Sequence, residues 1–211
     1  MDNNSSSFGS SLGNPAPLGL AAFGTTTFYL MTIVMGWSES SFEDLVAANA
    51  FYYGGICQLL VGVLELFKGS SFSFLVFGSY GAFWLGFAHL HFETQDSTTL
   101  MGEEAFPIGR SFYYTQWTVL TAFFTLVATR KNTGLVLLLG LLTTTFALLA
   151  IATGLSVNEE TASSGATTKK VAGYFGLMTA LQAYYLCFAE IINEGKISCQ
   201  EQFKSKATVS T

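Results

Sequence analysis

Charged residues are scarce in this sequence of 211 residues, at 11% of the chain against about a quarter in an ordinary soluble domain. Nine Lys and Arg stand against fourteen Asp and Glu, which gives a net charge of −5 and leaves no basic stripe along the chain. Without such a stripe the protein cannot follow a phosphate backbone, so we exclude nucleic acid as a partner. Half of the residues are hydrophobic and the mean hydropathy is +0.45, which disfavours a soluble globule, a disordered chain and a coiled coil.

Cysteine and histidine are also rare. The three cysteines make no disulfide framework, and the sequence contains no Walker loop, no zinc-type Cys/His spacing and no GxSxG turn. The two histidines, His89 and His91, are two positions apart, so they point to different faces of a helix. We interpret them as interfacial residues, and a proton relay or a weak metal pair remain the alternatives. The sequence therefore predicts neither an enzyme nor a bound cofactor or metal.

Long apolar runs dominate what is left. Six of them approach the ~20 residues that a helix needs to span a bilayer, and their continuous apolar character disfavours a β-barrel. They cover residues 18–37, 45–67, 72–92, 111–128, 134–155 and 171–192. Short polar connections separate them, which predicts an all-α membrane protein. We expect a bundle of six transmembrane helices over residues 14–194, set in the lipid bilayer between polar tails at 1–13 and 195–211.

Basic residues near the ends of the runs indicate the orientation of the bundle, because cytoplasmic loops collect Lys and Arg. On the side shared by both termini lie six: Lys68, Arg130, Lys131, Lys196, Lys204 and Lys206. On the other side lie three: Arg110, Lys169 and Lys170. We therefore place both termini in the cytoplasm and expect a multi-pass protein of the plasma membrane. The acidic outer loops would not steer an anion inward.

The most informative motif is the run Asn14-Pro15-Ala16-Pro17-Leu18-Gly19-Leu20. Asn is a favoured N-cap and Pro a favoured first helical residue, so the run predicts a helix start at this point. The free N–H groups and positive dipole end of such a helix can bind a small anion, and a plain helix start is the alternative. Hydroxyls follow at Thr25, Thr26 and Thr27, where they either line a polar path or bond back to their own helix.

Two acidic residues lie inside apolar runs. Glu65 is close to the end of the second run and Glu190 close to the end of the sixth. Ionisable residues within a membrane are functional candidates, which suggests a proton-carrying or gating role for both. Each could also anchor a helix end at the interface, and Glu65 could pair with Lys68 three residues later. Both interpretations stay open from the residues alone.

The residues in this order resemble a known family. The run from Asn14 to Leu20, with Phe23-Gly24 after it, resembles the signature of the acetate uptake transporter family, which includes the succinate–acetate permeases. Phe51-Tyr52-Tyr53-Gly54-Gly55-Ile56-Cys57-Gln58 is similar to its second helix, and Ser79-Tyr80-Gly81-Ala82-Phe83-Trp84 is similar to its third. The resemblance spans residues 14–194. It implies six helices in each protomer, a ring-like homohexamer, and a path through every protomer.

The resemblance also implies a narrow hydrophobic constriction, which by motif falls on Phe23, Tyr80 and Leu142. Each of these residues lies eight positions after the predicted start of its helix. At 1.5 Å per residue, each would sit about 12 Å above that start, which is consistent with a single ring at one depth. We expect such a ring to act as a gate that excludes water and filters substrates by size.

The function that the resemblance implies is membrane transport of acetate, and of succinate in some members, often coupled to protons. For contacts with the carboxylate we expect the run Asn14, Pro15, Ala16, Pro17, Leu18, Gly19 and Leu20, together with Thr25 and Gln58. For the proton we expect Glu65 or Glu190. A passive anion channel, transport of ammonium and a membrane sensor that moves no solute are the alternatives.

Overall fold

The computed structural model describes residues 13–92 and 105–209, with the side chains of 13–91 and 105–194. Regular structure in these ranges is helical, which confirms the predicted all-α fold. The α-helices are α1 Ala16–Val34, α2 Glu43–Asn49, α3 Gln58–Phe67, α4 Ser71–Phe92, α5 Ala105–Ala128, α6 Thr133–Leu155 and α7 Glu159–Val209. A 3-10 turn over Ser40–Phe42 precedes α2, and a π-helical segment over Ala50–Cys57 joins α2 to α3. Residues 1–12 of the predicted N-terminal tail and residues 93–104, between the third and fourth apolar runs, lie outside the described residues.

Five stretches of the described helices are long and apolar enough to cross a membrane. They are Ala16–Val34, Ser40–Phe67, Ser71–His91, Thr133–Leu155 and Glu159–Glu194. The remaining long helix, α5, has 24 residues and so extends over about 36 Å, which is also enough to span a bilayer. It is less apolar because it carries Arg110, Gln116 and several threonines and tyrosines. The bundle thus combines five strongly apolar rods with one that is more polar.

Packing between the helices follows a ring. α5 packs along α6, α6 along α7 and α7 along α1, while α1 contacts the π-helical segment and α3, and α3 packs along α4. Aromatic side chains bridge the remaining interval between α4 and α5. Phe83 lies 5.1 Å from Trp117 and 6.2 Å from Tyr113 between ring centroids. The ring encloses a buried aromatic core in which Phe124 and Phe146 also take part.

Glycines follow the ends of two helices and allow one of the close contacts in the bundle. Gly36 follows α1 with φ +77° and Gly69 follows α3 with φ +80°, a backbone conformation that glycine adopts at little cost. A Cβ on Gly55 would lie 2.5 Å from Leu85 of α4, and a Cβ on Gly54 would lie 2.8 Å from Trp84. The absence of side chains at these two positions lets the π-helical segment approach α4 closely.

Two helices are longer than the apolar runs that predicted them. α5 begins at Ala105, before the run that starts at 111, and α7 covers Glu159–Val209, beyond both ends of the run over 171–192. Hydropathy marks the part of a helix that suits lipid, whereas the helix itself continues into water. Acidic residues in the first turn favour the start of α7, since they oppose the positive end of the helix dipole. Gly165 lets this polar part of α7 pack closely against α6. A Cβ on Gly165 would lie 2.9 Å from the carbonyl oxygen of Ala152.

Candidate substrate path

Two cavities lie inside the helical ring, one on each side of Phe23, which lines both. The wide cavity has a volume of about 690 Å³ and is lined by residues of α1, α4, α5, α6 and α7, with Glu43, His91, Arg110 and Lys169 at its polar end. The narrow cavity has a volume of about 270 Å³ and has Ser70, Lys131, Asn132 and Glu190 at its polar end. Apolar and aromatic side chains make up most of both linings. The two cavities form a path along the bundle that is interrupted at the layer of Phe23.

Three large side chains occupy that layer: Phe23, Tyr80 and Leu142. They are 4%, 2% and 3% exposed, and the Phe23 and Tyr80 ring centroids are 5.6 Å apart. Tyr80 lines the narrow cavity and Leu142 lines the wide one. Counted from the observed helix starts, the three residues lie about 10 to 14 Å along α1, α4 and α6. The structure therefore brings the three residues of the predicted constriction into one buried layer between the cavities.

The orientation of Tyr80 is fixed by contacts to α5. Its hydroxyl donates a hydrogen bond to Thr121 Oγ1 at 3.0 Å, and its ring meets Phe124 edge-on at 6.0 Å. Thr121 is fully buried. Sequence reasoning missed this partner because the two residues are 41 positions apart. The polar composition of the fourth apolar run was the one available signal that its helix faces something other than lipid.

Gln58 supplies the buried polar group of the narrow cavity. It begins α3 directly after the π-helical segment and is 1% exposed. Its Nε2 lies 3.4 Å from the carbonyl of Gly19, to which it donates, and its Oε1 has no hydrogen-bond partner among the described residues. An unpaired buried amide oxygen costs free energy, so it offers a site for a donor such as a protonated acid or water. This contact places Gln58 against Gly19, within the Asn14–Leu20 run.

Other members of the predicted carboxylate set are dispersed. Ala16 and Leu20 line the narrow cavity. Thr25 instead accepts a hydrogen bond from Tyr184 Oη at 2.9 Å, and Leu18 is exposed. Among the described cavity linings, neither cavity includes Asn14, Pro15, Pro17, Leu18, Gly19 or Thr25. These residues shape the first turns of α1, and only part of the run faces the path.

The helical assignment of α1 begins at Ala16, and Pro15 before it already has helical backbone angles. The Oδ1 of Asn14 accepts a hydrogen bond from the backbone N–H of Ala16 at 3.2 Å, which is the contact that a cap by Asn14 requires. Asn14 Nδ2 donates to Glu190 Oε2 at 3.0 Å. A carboxylate of the chain itself therefore lies at the predicted anion site, and it faces the narrow cavity.

Glu65 is buried outside both cavities. It is 5% exposed, its Oε1 has no hydrogen-bond partner among the described residues, and Lys68 Nζ lies 3.9 Å away. The predicted pairing with Lys68 is thus present at the long limit of an ion pair. Glu65 lies seven residues after Gln58, so the two share a face of α3 about two turns apart.

The histidines do not form a pair. His89 is exposed, whereas His91 Nε2 lies 2.8 Å from Asp44 Oδ1 and His91 Nδ1 lies 3.7 Å from Glu43 Oε2. These contacts tie the last turn of α4 to the first turn of α2. Across the part of the chain that is described, no three His, Cys, Asp or Glu side chains come together as a metal site.

Comparison with known proteins shows relatives that align with most of this chain. Acetate permease A of Emericella nidulans is 35% identical over 184 residues, and the alignment covers 84% of this chain and 61% of the permease. The chain thus spans about three fifths of that fungal relative. The succinate-acetate/proton symporter SatP of Escherichia coli K12 is 33% identical over 183 residues, which cover 87% of this chain and 90% of SatP.

A solved structure and a family description agree with these relatives. The structure of the bacterial acetate channel SatP superimposes with a TM-score of 0.74 at 32% identity, and covers 88% of this chain and 95% of the channel. The description of the GPR1/FUN34/yaaH family matches residues 3–202. This match includes the seven α-helices of the described residues, almost to the end of α7. The chain therefore belongs to the GPR1/FUN34/yaaH family.

Proposed function

We propose that this protein moves acetate and related small carboxylates across a membrane through the path inside each subunit. The observation that carries the proposal is the pair of cavities that meet at one buried layer of Phe23, Tyr80 and Leu142. The names of the relatives, an acetate permease, a succinate-acetate/proton symporter and an acetate channel, support the choice of substrate. Succinate is the larger candidate substrate, and the path performs no chemistry on either acid.

The layer of Phe23, Tyr80 and Leu142 is the gate in this proposal. An apolar constriction excludes water when closed, and it passes a solute only when the side chains separate. Transfer of an ionised carboxylate into such a layer is costly, since the described basic residues that line the path, Arg110, Lys131 and Lys169, are exposed at its ends. A proton that accompanies the acid removes this cost, which is the physical reason to propose coupling to protons.

Glu190 is better placed than Glu65 to exchange that proton with the substrate. Its carboxylate lines the narrow cavity and is held by Asn14, whereas Glu65 lies outside both cavities. The amide of Gln58, also in the narrow cavity, can donate to or accept from the acid as it arrives. We propose Glu190 and Gln58 as the polar groups of this half of the path, with Glu65 as a helix-end residue that interacts with Lys68.

Assembly and orientation belong to the same proposal. We propose a homohexameric ring in which each subunit holds its own path, in the plasma membrane and with both termini in the cytoplasm. Exposed apolar side chains on the outer faces of the bundle, such as Leu60, Phe123 and Tyr185, suit contact with lipid or with neighbouring subunits.

Uptake of labelled acetate into proteoliposomes of the purified protein, with and without an inward proton gradient, tests the proposal. Empty liposomes measure the leak of undissociated acid. We expect Phe23→Ala to change the protein-dependent rate, because it alters the gate, and Phe28→Ala to leave it unchanged, because Phe28 is exposed on the same helix outside both cavities. Accumulation above passive acid equilibration supports coupling to protons.

Two other outcomes would redirect the proposal. Flux that only speeds equilibration favours a passive channel, and the solved structure of SatP is named as that of an acetate channel. No flux above the leak of empty liposomes refutes acetate transport. In that case uptake of labelled ammonium, and its insensitivity to acetate, would separate a different solute from a protein that moves none.

A further inference from the structure

Most threonine hydroxyls of the described helices bond back to a carbonyl of their own helix, and that of Thr27 does not. The common arrangement is a hydrogen bond to the carbonyl four residues earlier, at 2.6 to 3.1 Å. It is found at Thr26, Thr115, Thr118, Thr125, Thr143, Thr144, Thr145, Thr153, Thr167, Thr168 and Thr179. Thr27 is 3% exposed, and its Oγ1 has no hydrogen-bond partner among the described residues. Its hydroxyl is therefore free for a ligand.

A second buried donor lies on a neighbouring helix. Trp84 of α4 is 2% exposed, and its indole Nε1 has no hydrogen-bond partner among the residues whose side chains are described. An indole N–H can only donate, and one that is buried usually finds a partner because leaving it unpaired costs free energy. Both Thr27 and Trp84 line the wide cavity.

The two donors occupy the layer next to the gate. Thr27 lies four residues after Phe23 on α1, and Trp84 lies four residues after Tyr80 on α4. Residues four apart stand one above the other on the same face of a helix, here with a rise of about 6 Å. Phe146 stands in the same relation to Leu142 on α6 and also lines the wide cavity. This layer therefore combines two hydrogen-bond donors with an apolar ring.

We propose that the Thr27 hydroxyl and the Trp84 indole N–H bind the carboxylate of the substrate in the wide cavity, about one helical turn from the gate. Two uncharged donors suit the two oxygens of a carboxylate, and a bond to an ionised acceptor is stronger than one between neutral groups. Phe146 would receive the methyl group or alkyl chain. The inference rests on the proposed transport of carboxylates, to which it adds a holding site before the constriction.

Indole N–H resonances provide a direct test. The protein has three tryptophans, so the ¹⁵N-labelled full chain in lipid nanodiscs gives three indole signals, and Trp84→Phe identifies the one that matters. We expect titration with sodium acetate to move the Trp84 signal downfield and to saturate, with sodium chloride as the control for ionic strength. The signal of Trp37, which is largely exposed, should not move.

Substitutions at Thr27 separate the hydroxyl from its packing. Thr27→Val keeps the shape and removes the donor, and we expect the acetate concentration at half saturation to rise about tenfold, which corresponds to about 1.4 kcal/mol. Thr27→Ser should restore it to within about threefold of the original, a difference of about 0.7 kcal/mol. Thr145→Val is the matched control, because Thr145 is equally buried in the same cavity but already bonds to the carbonyl of Leu141 at 2.9 Å. Its half saturation should not change.

The possible results distinguish this site from the proposed function. If acetate crosses the membrane while the Trp84 signal stays in place at concentrations that saturate the flux, the site is refuted and transport stands. An equal effect of Thr27→Val and Thr145→Val would also refute it, since general packing would then be the cause. A saturating shift of Trp84 that Thr27→Val weakens supports the site, even if flux is absent and the transport proposal fails.

Discussion

Leu142→Ala gives the sharpest test of the gate. The substitution removes three carbons from a side chain that is 3% exposed and leaves Phe23 and Tyr80 in place. The lost burial costs about 2.4 kcal/mol of folding free energy, at about 0.8 kcal/mol for each methylene-sized group. Forcing an oversized group into a packed layer costs about 1 to 3 kcal/mol. Relief of that cost should raise the passage of a larger acid relative to acetate by about 5- to 150-fold.

Parallel uptake of labelled succinate and acetate measures this effect as a ratio of initial rates. The ratio cancels differences in the amount of protein that each proteoliposome preparation contains. Leu148→Ala is the matched control, because the same substitution is then made on the same helix at a residue that lines neither cavity. Thermal unfolding of both variants shows whether each protein is intact at the assay temperature.

The reasoning fails if Leu142→Ala leaves the succinate to acetate ratio unchanged while both rates remain above the leak. The buried layer would then be a packing feature, and passage would be limited elsewhere along the path. A rise of the ratio in Leu148→Ala to the same extent would also contradict it, because loosened packing of α6 would explain both results.

Three further predictions concern contacts described above. Tyr80→Phe removes the hydroxyl that bonds to Thr121, so we expect a loss of about 1 kcal/mol or slightly more in denaturant unfolding; an unchanged midpoint would show that the bond contributes nothing. Glu190→Gln keeps an acceptor for Asn14 but cannot carry a proton, so acetate uptake should persist with its response to a proton gradient abolished; a full response would exclude Glu190 as the proton carrier. Gly55→Ala places a Cβ 2.5 Å from a leucine of α4 and should lower stability by about 1 to 3 kcal/mol, measurable as a lower Tm.

Apolar runs predicted the cores of the helices well, because the requirement of a bilayer for about 20 apolar residues is visible in local composition. The first twelve residues of α7 escaped prediction since they are polar and mostly face water, so hydropathy carries no signal for them. The π-helical segment also escaped, since its backbone pattern depends on how Gly54 and Gly55 meet α4 and not on the apolar character of the run.

For the candidate substrate path, too, the sequence predicts some features and leaves others to the structure. Resemblance brought Phe23, Tyr80 and Leu142 to one layer, and their common distance from the helix starts was readable from the sequence. Contacts between distant residues were not readable. The bond between Asn14 and Glu190 joins residues 176 positions apart, and no local pattern indicates it. An unpaired hydroxyl such as that of Thr27 is likewise defined by what its surroundings lack, which requires coordinates.

The π-helical segment sets how α3 is rotated about the helix axis relative to α2 within the second membrane-spanning stretch, Ser40–Phe67. The composition of the stretch does not determine this rotation. Side chains of an α-helix advance by about 100° per residue, so every residue gained or lost between Ala50 and Cys57 turns α3 relative to α2 by that angle. A chain shortened by one apolar residue there would keep its hydropathy profile and its membrane insertion signal. It would nevertheless point Gln58 away from the narrow cavity. In this stretch, the number of residues between Ala50 and Cys57 therefore matters for function as much as which residues they are.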